Sequence, residues 1–426
     1  MSTTVTDATD IAASGTDRFL SSEGRRIATA VRELRPRIQA AGRQAEIDRR
    51  MPDDIVAALT ETGLFLTAVP IEYGGLALGA RDIAEIALEL GRADSSAAWL
   101  FMVACGARMV STFPKPLVDD LYGGMEGWRG PIAAGGSTFA AITGEARKVD
   151  GGWMVTGKWT FVSGNHHASR IFGGVHWVDG EREGHALVMF DPDQLERLDD
   201  WQVAGMSGSD SNSMRATEEV FVPDHRFLDM AELPVHMDSA SERFSGLAYQ
   251  AKTRASMLTV SIITIGSVVG MAGGCFDAFT AQTSKRPFSP PYPSVAEMAT
   301  SQAAAAKARA AIDVAEALIL RIADAIDAHA LSGTDFTSGE ESQANVDLAY
   351  VGQLCHDAMQ SMARIIGSSA YALSNPIQRY VRDAAVILSH GAVRLESLAE
   401  ISGRHLLGQP PFDMFVAGLQ NKGTSR

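Results

Sequence analysis

Hydrophobic and polar positions along this chain follow two different periods, and the change of period divides the chain into three parts. From about residue 22 to residue 125, apolar side chains recur every three or four residues, as at Ile27, Val31 and Leu34. This spacing is typical of helices that bury one face. After about residue 130 the period shortens to two, and from about Arg243 to Leu407 the helical period returns. The pattern predicts a helical part, a β part and a second helical part.

The central part predicts short antiparallel strands joined by tight turns. A Gly151-Gly152 turn precedes alternation from Trp153 to Phe161, and two further apolar runs flank a turn at Asp179-Gly180. Alternation bounded by glycine turns is the usual signature of β-hairpins. In the last part, one apolar stripe runs from Ala308 to Ile326 after a proline-rich loop, which predicts long helices in a four-helix bundle.

These patterns indicate an α+β fold with four segments. We predict a disordered tail at residues 1–18, an N-terminal helical domain at 19–129, a small antiparallel β-domain at 130–240 and a C-terminal four-helix bundle at 241–426. The run from Met257 to Ala272 contains serine, threonine and glycine. It is also slightly short for a membrane span, so we interpret it as a buried bundle helix.

Composition narrows the possible partners and compartments. The 426 residues are 46% hydrophobic and 21% charged, with a formal net charge of -14, and an acidic chain is repelled by nucleic acid and by anionic membranes. The three cysteines show no C-x-x-C spacing. We therefore expect a cytoplasmic protein without a metal site, and no nucleic-acid or membrane partner.

The most informative motif lies near the C-terminus. Arg382-Asp383-Ala384, followed by Ser389-His390-Gly391, resembles the C-terminal signature of acyl-CoA dehydrogenases. In that family a glutamate at the position of Gly391 removes the substrate α-proton, and glycine cannot accept a proton. His390 in this register is instead similar to flavin-dependent monooxygenases that share the fold. The resemblance implies that His390 is a catalytic acid or base.

Two central segments strengthen the resemblance. The first, Trp159 to Gly164, looks like the strand and loop that contact flavin, and the second, Gly205 to Ser211, looks like the loop that holds flavin oxygens or phosphate. Aromatic rings offer flat apolar surface, and hydroxyl and backbone N–H groups can bind polar ligand atoms. The resemblance therefore implies cofactor contacts from Trp159, Phe161, Ser163, Gly164, Ser209 and Ser211.

Two arginines complete the implied cofactor set. Arg286 lies in Lys285-Arg286-Pro287-Phe288, which resembles an R-x-x-F segment of the family with the spacing shortened by one residue. That segment supports flavin phosphates across a subunit contact. Arg382 is expected near the flavin. An ion pair between Arg382 and Asp383 is a simpler interpretation than a direct role of either residue in the chemistry.

The resemblance covers nearly the whole chain and implies a complete activity. The protein would be the oxygenase component of a two-component monooxygenase, a homotetramer that receives reduced FMN or FAD from a separate NAD(P)H-dependent flavin reductase. Dioxygen would form a C4a-hydroperoxyflavin that oxidises a small organic substrate. Ser163 would hydrogen-bond near flavin N5 to retain this adduct. The adduct eliminates hydrogen peroxide when water enters the site or when the N5 proton is lost.

Two alternatives remain open from the sequence. An acyl-CoA dehydrogenase with tightly bound FAD would need a base from another helix, and the stretch from Leu247 to Met257 contains no Asp or Glu. A non-catalytic flavin-binding scaffold is the second alternative. One departure also limits the resemblance: many monooxygenase relatives carry a histidine after Ser96-Ala97-Ala98-Trp99, whereas this chain continues with Cys105 and Arg108. The substrate is therefore not implied.

Overall fold

A computed structural model of the chain describes residues 19–123, 133–134, 142–285 and 292–410. Within these ranges helices come first, strands follow and long helices return, so the predicted order of elements is confirmed. The predicted tail at residues 1–18 and the first boundary near residue 129 lie outside the described residues. The exact domain limits therefore stay a prediction.

The N-terminal part is built on helices with buried apolar faces and side-chain caps. Ser21 caps the first helix by accepting a hydrogen bond from the backbone of Gly24, and Asp94 caps the fourth in the same way through Ser96 and Ala97. Such caps satisfy the unpaired N–H groups of a helix start. The helices are α1 (Ser22–Asp48), α2 (Asp53–Glu61), α3 (Ala80–Ala93), α4 (Ser95–Ala104), α5 (Ala107–Val110) and α6 (Lys115–Val118).

The central part forms two sheets. The larger contains, in chain order, β1 (Ala133–Ala134), β2 (Gly144–Val149), β3 (Gly152–Thr156), β5 (Ile171–Asp179), β6 (Arg182–Phe190), β9 (Val220–Pro223) and β10 (Phe227–Asp229). The smaller contains β4 (Lys158–Trp159), β7 (Glu196–Arg197) and β8 (Met214–Arg215). Most neighbours run antiparallel as predicted, but β5 pairs in parallel with β1 and β2, so the larger sheet is mixed.

One predicted strand is divided. Alternation suggested a single strand from Trp153 to Phe161, whereas the structure ends β3 at Thr156 and starts β4 at Lys158. Gly157 between them has a φ of 157°, a conformation that glycine adopts without steric cost. The break transfers the chain from the larger sheet to the smaller one and directs the following loop towards the helices.

The C-terminal part is a helical bundle. Its short leading helices are α7 (Leu233–Asp238), α8 (Ala240–Arg243) and α9 (Leu247–Gln250), and its long helices are α10 (Thr253–Thr283), α11 (Ala299–Ser332), α12 (Ser338–Ile366), α13 (Pro376–Leu388) and α14 (Leu395–Leu406). Helix α10 packs against α3, α11, α12 and α13. Among the described helices, α10 is the one long and apolar enough to cross a membrane. Most of it lies buried inside the protein, as a core helix does.

Candidate functional site

Four segments meet where the three parts of the chain adjoin. They are the start of α4, the residues after β4, the loop at residues 205–211 and the end of α13. The buried carboxylate of Asp383 on α13 joins three of them, because it accepts hydrogen bonds from the backbone N–H of Met206 at 2.6 Å and from the hydroxyl of Ser95 on α4. The loop packs tightly there, since a Cβ on Gly205 would lie 2.5 Å from the backbone oxygen of Arg382.

A continuous line of hydroxyl groups crosses this junction. The indole Nε1 of Trp99 donates to Oγ of Ser163 at 2.9 Å, and Ser163 Oγ lies 2.7 Å from Ser211 Oγ. Ser211 Oγ lies 2.7 Å from Ser209 Oγ, which donates to the carbonyl oxygen of Met206 at 2.7 Å. All three serines are buried. The structure thus brings together the three serines that the sequence assigned to the flavin site.

The direction of each hydrogen bond in this line follows from its two ends. A carbonyl oxygen only accepts, so the single hydroxyl hydrogen of Ser209 is used on Met206. Ser211 must then donate to Ser209, and Ser163 must donate to Ser211. Since Trp99 only donates, Ser163 Oγ accepts from the indole and keeps one lone pair. Ser163 is therefore prepared to accept a hydrogen bond from a ligand N–H group.

His390 lies beside this line. Its ring centroid is 5.9 Å from that of Trp99 in an edge-on arrangement, and its Nδ1 accepts a weak 3.3 Å hydrogen bond from the backbone N–H of Ala392. The ring keeps an exposed edge, yet the surrounding atoms displace enough water to lower its pKa by desolvation. His390 is neutral at pH 7, and the accepting Nδ1 implies the tautomer with the proton on Nε2.

The two aromatic residues of the predicted flavin strand have opposite environments. The ring of Phe161 is 58% exposed and packs edge-on against Trp201, with centroids 5.7 Å apart. Trp159 is 0% exposed, packs against Phe190 and donates to the carbonyl oxygen of Gly174. The assignment of Trp159 to flavin contact is therefore wrong in this structure, because a fully enclosed indole presents no face to a ligand.

Backbone strain concentrates at the same junction. Phe161, Met206 and Asp210 adopt φ values of 60°, 61° and 53°, in the left-handed region that non-glycine residues seldom enter. Only two other described non-glycine residues, Arg49 and Ala77, have positive φ. Strained residues persist where the surrounding structure fixes them, and they cluster at functional sites. The strain marks the loops around Ser163 as fixed in a specific shape.

The remaining predicted cofactor residues have structural partners. The N–H of Gly164 donates to the carbonyl oxygens of Ser209 and Asp210, so it connects the two loops. The guanidinium of Arg382 contacts Glu46, Gln378 and the carbonyl oxygen of Ala204, and it thereby ties α13 to α1. Arg286 lies outside the described residues. The cofactor roles of Gly164, Arg286 and Arg382 stay predictions.

The junction fits a flavin better than a metal ion. It offers an exposed aromatic ring at Phe161, a buried acceptor at Ser163 and fixed loop backbone, which suit a flat heterocycle with polar edges. In the described ranges, no group of three or more His, Cys, Asp or Glu side chains could hold a metal. The adjacent histidines have separate partners, since His166 contacts Asp210 and His167 contacts the carbonyl oxygen of Met51.

Sequence reasoning missed several residues that shape the site. In the sequence Trp99 is only the last residue of the Ser-Ala-Ala-Trp motif, yet in the structure its indole fixes Ser163. Trp201 supports Phe161 and donates to the carbonyl oxygen of Met206 at 3.0 Å. The available signal was the Ser-Ala-Ala-Trp segment, but nothing local indicated that its tryptophan contacts a serine 64 positions away.

Comparison with known families agrees with this geometry. Residues 21–116 match the N-terminal domain of acyl-CoA dehydrogenases, and residues 262–395 match their C-terminal domain. The two matches together span more than half of the chain. The chain belongs to the acyl-CoA dehydrogenase family. The predicted fold, an acyl-CoA dehydrogenase fold of helical domain, β-domain and helical bundle, is confirmed.

Individual relatives identify the branch of this family. The flavin-dependent monooxygenase oxygenase subunit HsaA of Mycobacterium tuberculosis is 29% identical over 92% of this chain and 97% of its own length. The oxygenase component of p-hydroxyphenylacetate 3-hydroxylase from Acinetobacter baumannii is 24% identical over 89% of each chain. The present chain is therefore a flavin-dependent monooxygenase within the acyl-CoA dehydrogenase family. It is the oxygenase component of a two-component system. It uses reduced flavin and dioxygen and depends on a separate reductase.

A solved structure supports the fold independently. XiaF from Streptomyces sp., in complex with FADH2 and glycerol, superimposes with a TM-score of 0.83, covering 91% of this chain and 96% of that one at 23% identity. At this identity the similarity concerns the fold alone. The monooxygenase activity rests on the sequence relatives.

Proposed function

We propose that this monooxygenase hydroxylates a small aromatic substrate at the junction of α4, the residues after β4 and the end of α13. Ser163, Phe161 and Trp99 would contact or shape the flavin site, and His390 would act on the substrate. The line of hydroxyl groups from Trp99 to the carbonyl of Met206 is the observation that carries this proposal. It leaves Ser163 as a fixed acceptor, bonded to the indole of Trp99 that packs edge-on against His390.

Bound reduced flavin would supply the two electrons that activate dioxygen, so that one oxygen atom is transferred to the substrate and the other leaves as water. The residues of the chain would hold it: Ser163 would accept a hydrogen bond from a flavin N–H group, and Phe161 would pack against the ring. Ser209 and Ser211 fix the hydroxyl hydrogen of Ser163 so that it points away from the ligand. Phe161 and Trp201 exclude water, which otherwise promotes peroxide release.

His390 would handle the substrate proton. In its neutral form with the proton on Nε2, the ring has an unprotonated Nδ1. This nitrogen would accept the proton of a substrate hydroxyl as that oxygen ionises, leaving the ring as an imidazolium. The lowered pKa keeps the ring neutral at physiological pH. An aromatic substrate is supported by the A. baumannii relative, whose name specifies p-hydroxyphenylacetate, because an ionised phenol is an electron-rich acceptor of oxygen.

We further propose an NAD(P)H-dependent flavin reductase as the partner and a homotetramer as the assembly. Light scattering at micromolar protein tests the assembly, and a monomer would contradict it. The activity is tested without a reductase by mixing the protein and photochemically reduced FMN or FAD with dioxygen. We expect a delay between dioxygen consumption and the appearance of oxidised flavin. Oxidation at the rate of free flavin would overturn the proposed function.

A further inference from the structure

Asp210 separates two serines of the line of hydroxyl groups, and its side chain reaches the loop that follows Ser163. Its Oδ2 accepts from the backbone N–H of His166 at 2.7 Å, and its Oδ1 accepts from Nδ1 of the same histidine at 2.7 Å. Oδ1 also accepts from the side-chain amide of Asn212 at 2.9 Å. The residue is buried, so these three donors take the place of water around the carboxylate.

The main chain of Asp210 holds the same loop. Its carbonyl oxygen accepts from the N–H of Gly164 at 3.1 Å and from the side-chain amide of Asn165 at 2.8 Å. Arg197 contacts Oδ1 of Asn165 and donates to its carbonyl oxygen at 3.0 Å, which fixes that amide in turn. Through its side chain and main chain together, Asp210 bonds to the three residues that directly follow Ser163.

The shape of the turn does not require a carboxylate. Asp210 has a φ of 53° and a ψ of 48°, in the left-handed region that glycine adopts freely and other residues adopt at a cost. A buried carboxylate adds a second cost, because it loses its hydration. Glycine would supply this backbone conformation without either cost. What aspartate adds is its set of hydrogen bonds to the loop that follows Ser163.

The register between the two loops decides how Ser163 is bonded. Its hydroxyl hydrogen is committed to Ser211 while the two oxygen atoms stay 2.7 Å apart, and such a bond is lost beyond about 3.2 Å. We infer that Asp210 is a positioning residue for the flavin: it holds the loop after Ser163 against Ser211, so that Ser163 remains an acceptor towards the ligand. Because the role of Ser163 belongs to the proposed function, this inference rests on it.

Hydrogen exchange in the flavin-free protein tests the contact directly. We expect Asp210→Gly to raise the exchange rate of the backbone N–H of His166 roughly 5- to 30-fold, the effect of one lost hydrogen bond. Mass spectrometry of overlapping peptides that cover residues 160–168 measures this rate. Strands β2 and β3 are the internal reference, because they pair with each other through bonds that do not involve Asp210. An unchanged rate at His166, or an equal rise in β2 and β3, would overturn the inference.

A double-mutant comparison shows whether Asp210 acts through Ser163. After the protein is mixed with reduced FMN or FAD and dioxygen, we expect Asp210→Gly to shorten the delay before flavin oxidation roughly 5-fold. In the background of Ser163→Ala it should shorten the delay no further, since coupled residues have non-additive effects. Asp210→Asn should have a smaller effect, because its amide oxygen still accepts from the N–H of His166 while its amide N–H groups cannot accept from Asn212.

Asp224→Asn is the matched control, because this carboxylate pairs with Lys148 elsewhere in the β-domain and its loss should leave the delay unchanged. If Asp210→Gly does not fold, the comparison of Asp210→Asn with Asp224→Asn decides. A wild-type delay in Asp210→Gly, or the same shortening with and without Ser163→Ala, would overturn the inference. A wild-type protein that shows no delay would instead overturn the proposed function. The exchange rate of His166 needs no flavin and would still decide whether Asp210 holds the loop.

Discussion

The indole Nε1 of Trp99 donates a 2.9 Å hydrogen bond to Oγ of Ser163. This bond joins α4 of the N-terminal part to the loop after β4, and it uses one of the two lone pairs of the serine. The other lone pair is left for a ligand, because the hydroxyl hydrogen is committed to Ser211. One contact between distant residues thus sets both the position and the hydrogen-bonding character of the central serine.

Replacement of this serine tests its role in flavin binding. We expect Ser163→Ala to shorten the delay between dioxygen consumption and flavin oxidation by roughly 5- to 30-fold, since one hydrogen bond to a ligand contributes about 1–2 kcal/mol. Peroxide should rise as product falls. Stopped-flow absorbance and a peroxide assay measure the two effects, and an unchanged delay would remove Ser163 from this role.

The direction of the hydroxyl line gives a second prediction. In Ser211→Ala, the hydroxyl of Ser163 loses its acceptor, so its hydrogen can turn towards the ligand and compete with a flavin N–H. We expect the delay to shorten roughly 5-fold, in the same direction as for Ser163→Ala. The matched control is Ser207→Ala in the same loop, because Ser207 bonds to the carbonyl oxygen of Val203 and lies outside the line. Equal effects in both variants would refute the deduced direction.

The sequence predicts the architecture because each helix and strand has its own periodic pattern of apolar residues, which shows the face that is buried. The stripe from Ala308 to Ile326 lies within α11, and the apolar run from Met257 to Ala272 lies within α10. The alternating pattern did not predict the break at Gly157, because residues can alternate in the same way whether the chain stays in one sheet or passes to another. It also failed to distinguish Trp159 from Phe161, because the positive φ of Phe161 reverses the expected side-chain direction.

The site was predictable as a set of motifs but not as a network. The family resemblance indicated Ser163, Ser211 and His390 individually. Ser163 and Ser211 are 48 positions apart, and Trp99 and Ser163 are 64 apart. No local pattern in a single sequence encodes such pairings.

Asp383 leads to a prediction about pH. Burial raises its pKa to about 6, with nearby Asp94 adding to the rise and Arg379 opposing it. The folded state therefore disfavours the ionised carboxylate, so the stabilising contribution is complete below about pH 4 and is lost as pH rises through 6. Asp383→Asn removes this titration. We expect its stability relative to the wild-type protein to increase by up to about 3 kcal/mol between pH 4 and pH 7, measured by urea unfolding.

The geometry around Asp383 explains why asparagine should be tolerated. Its amide oxygen can accept from the N–H of Met206, and its amide N–H can donate to Ser95, whose hydroxyl also accepts. Asp327 is the contrasting case, because both of its oxygens accept from backbone N–H groups, those of Ala80 and Arg81. Asp327→Asn would place an N–H against an N–H and should destabilise the fold at neutral pH, where the carboxylate is ionised. Similar behaviour of the two variants would contradict this account.

His390 provides the decisive test of the proposed chemistry. We expect His390→Ala to reduce product formation by about 10²–10⁴-fold, the usual contribution of a general acid or base. The delay before flavin oxidation should persist, because Ser163 and Phe161 are unchanged, so peroxide should replace product. His236→Ala is the control, since that histidine pairs with Glu232 away from the site. Product formation in His390→Gln should stay low, because glutamine can donate a hydrogen bond but cannot take up a proton. If His390→Ala retains coupled turnover, the proton is handled elsewhere and the proposed role of His390 is wrong.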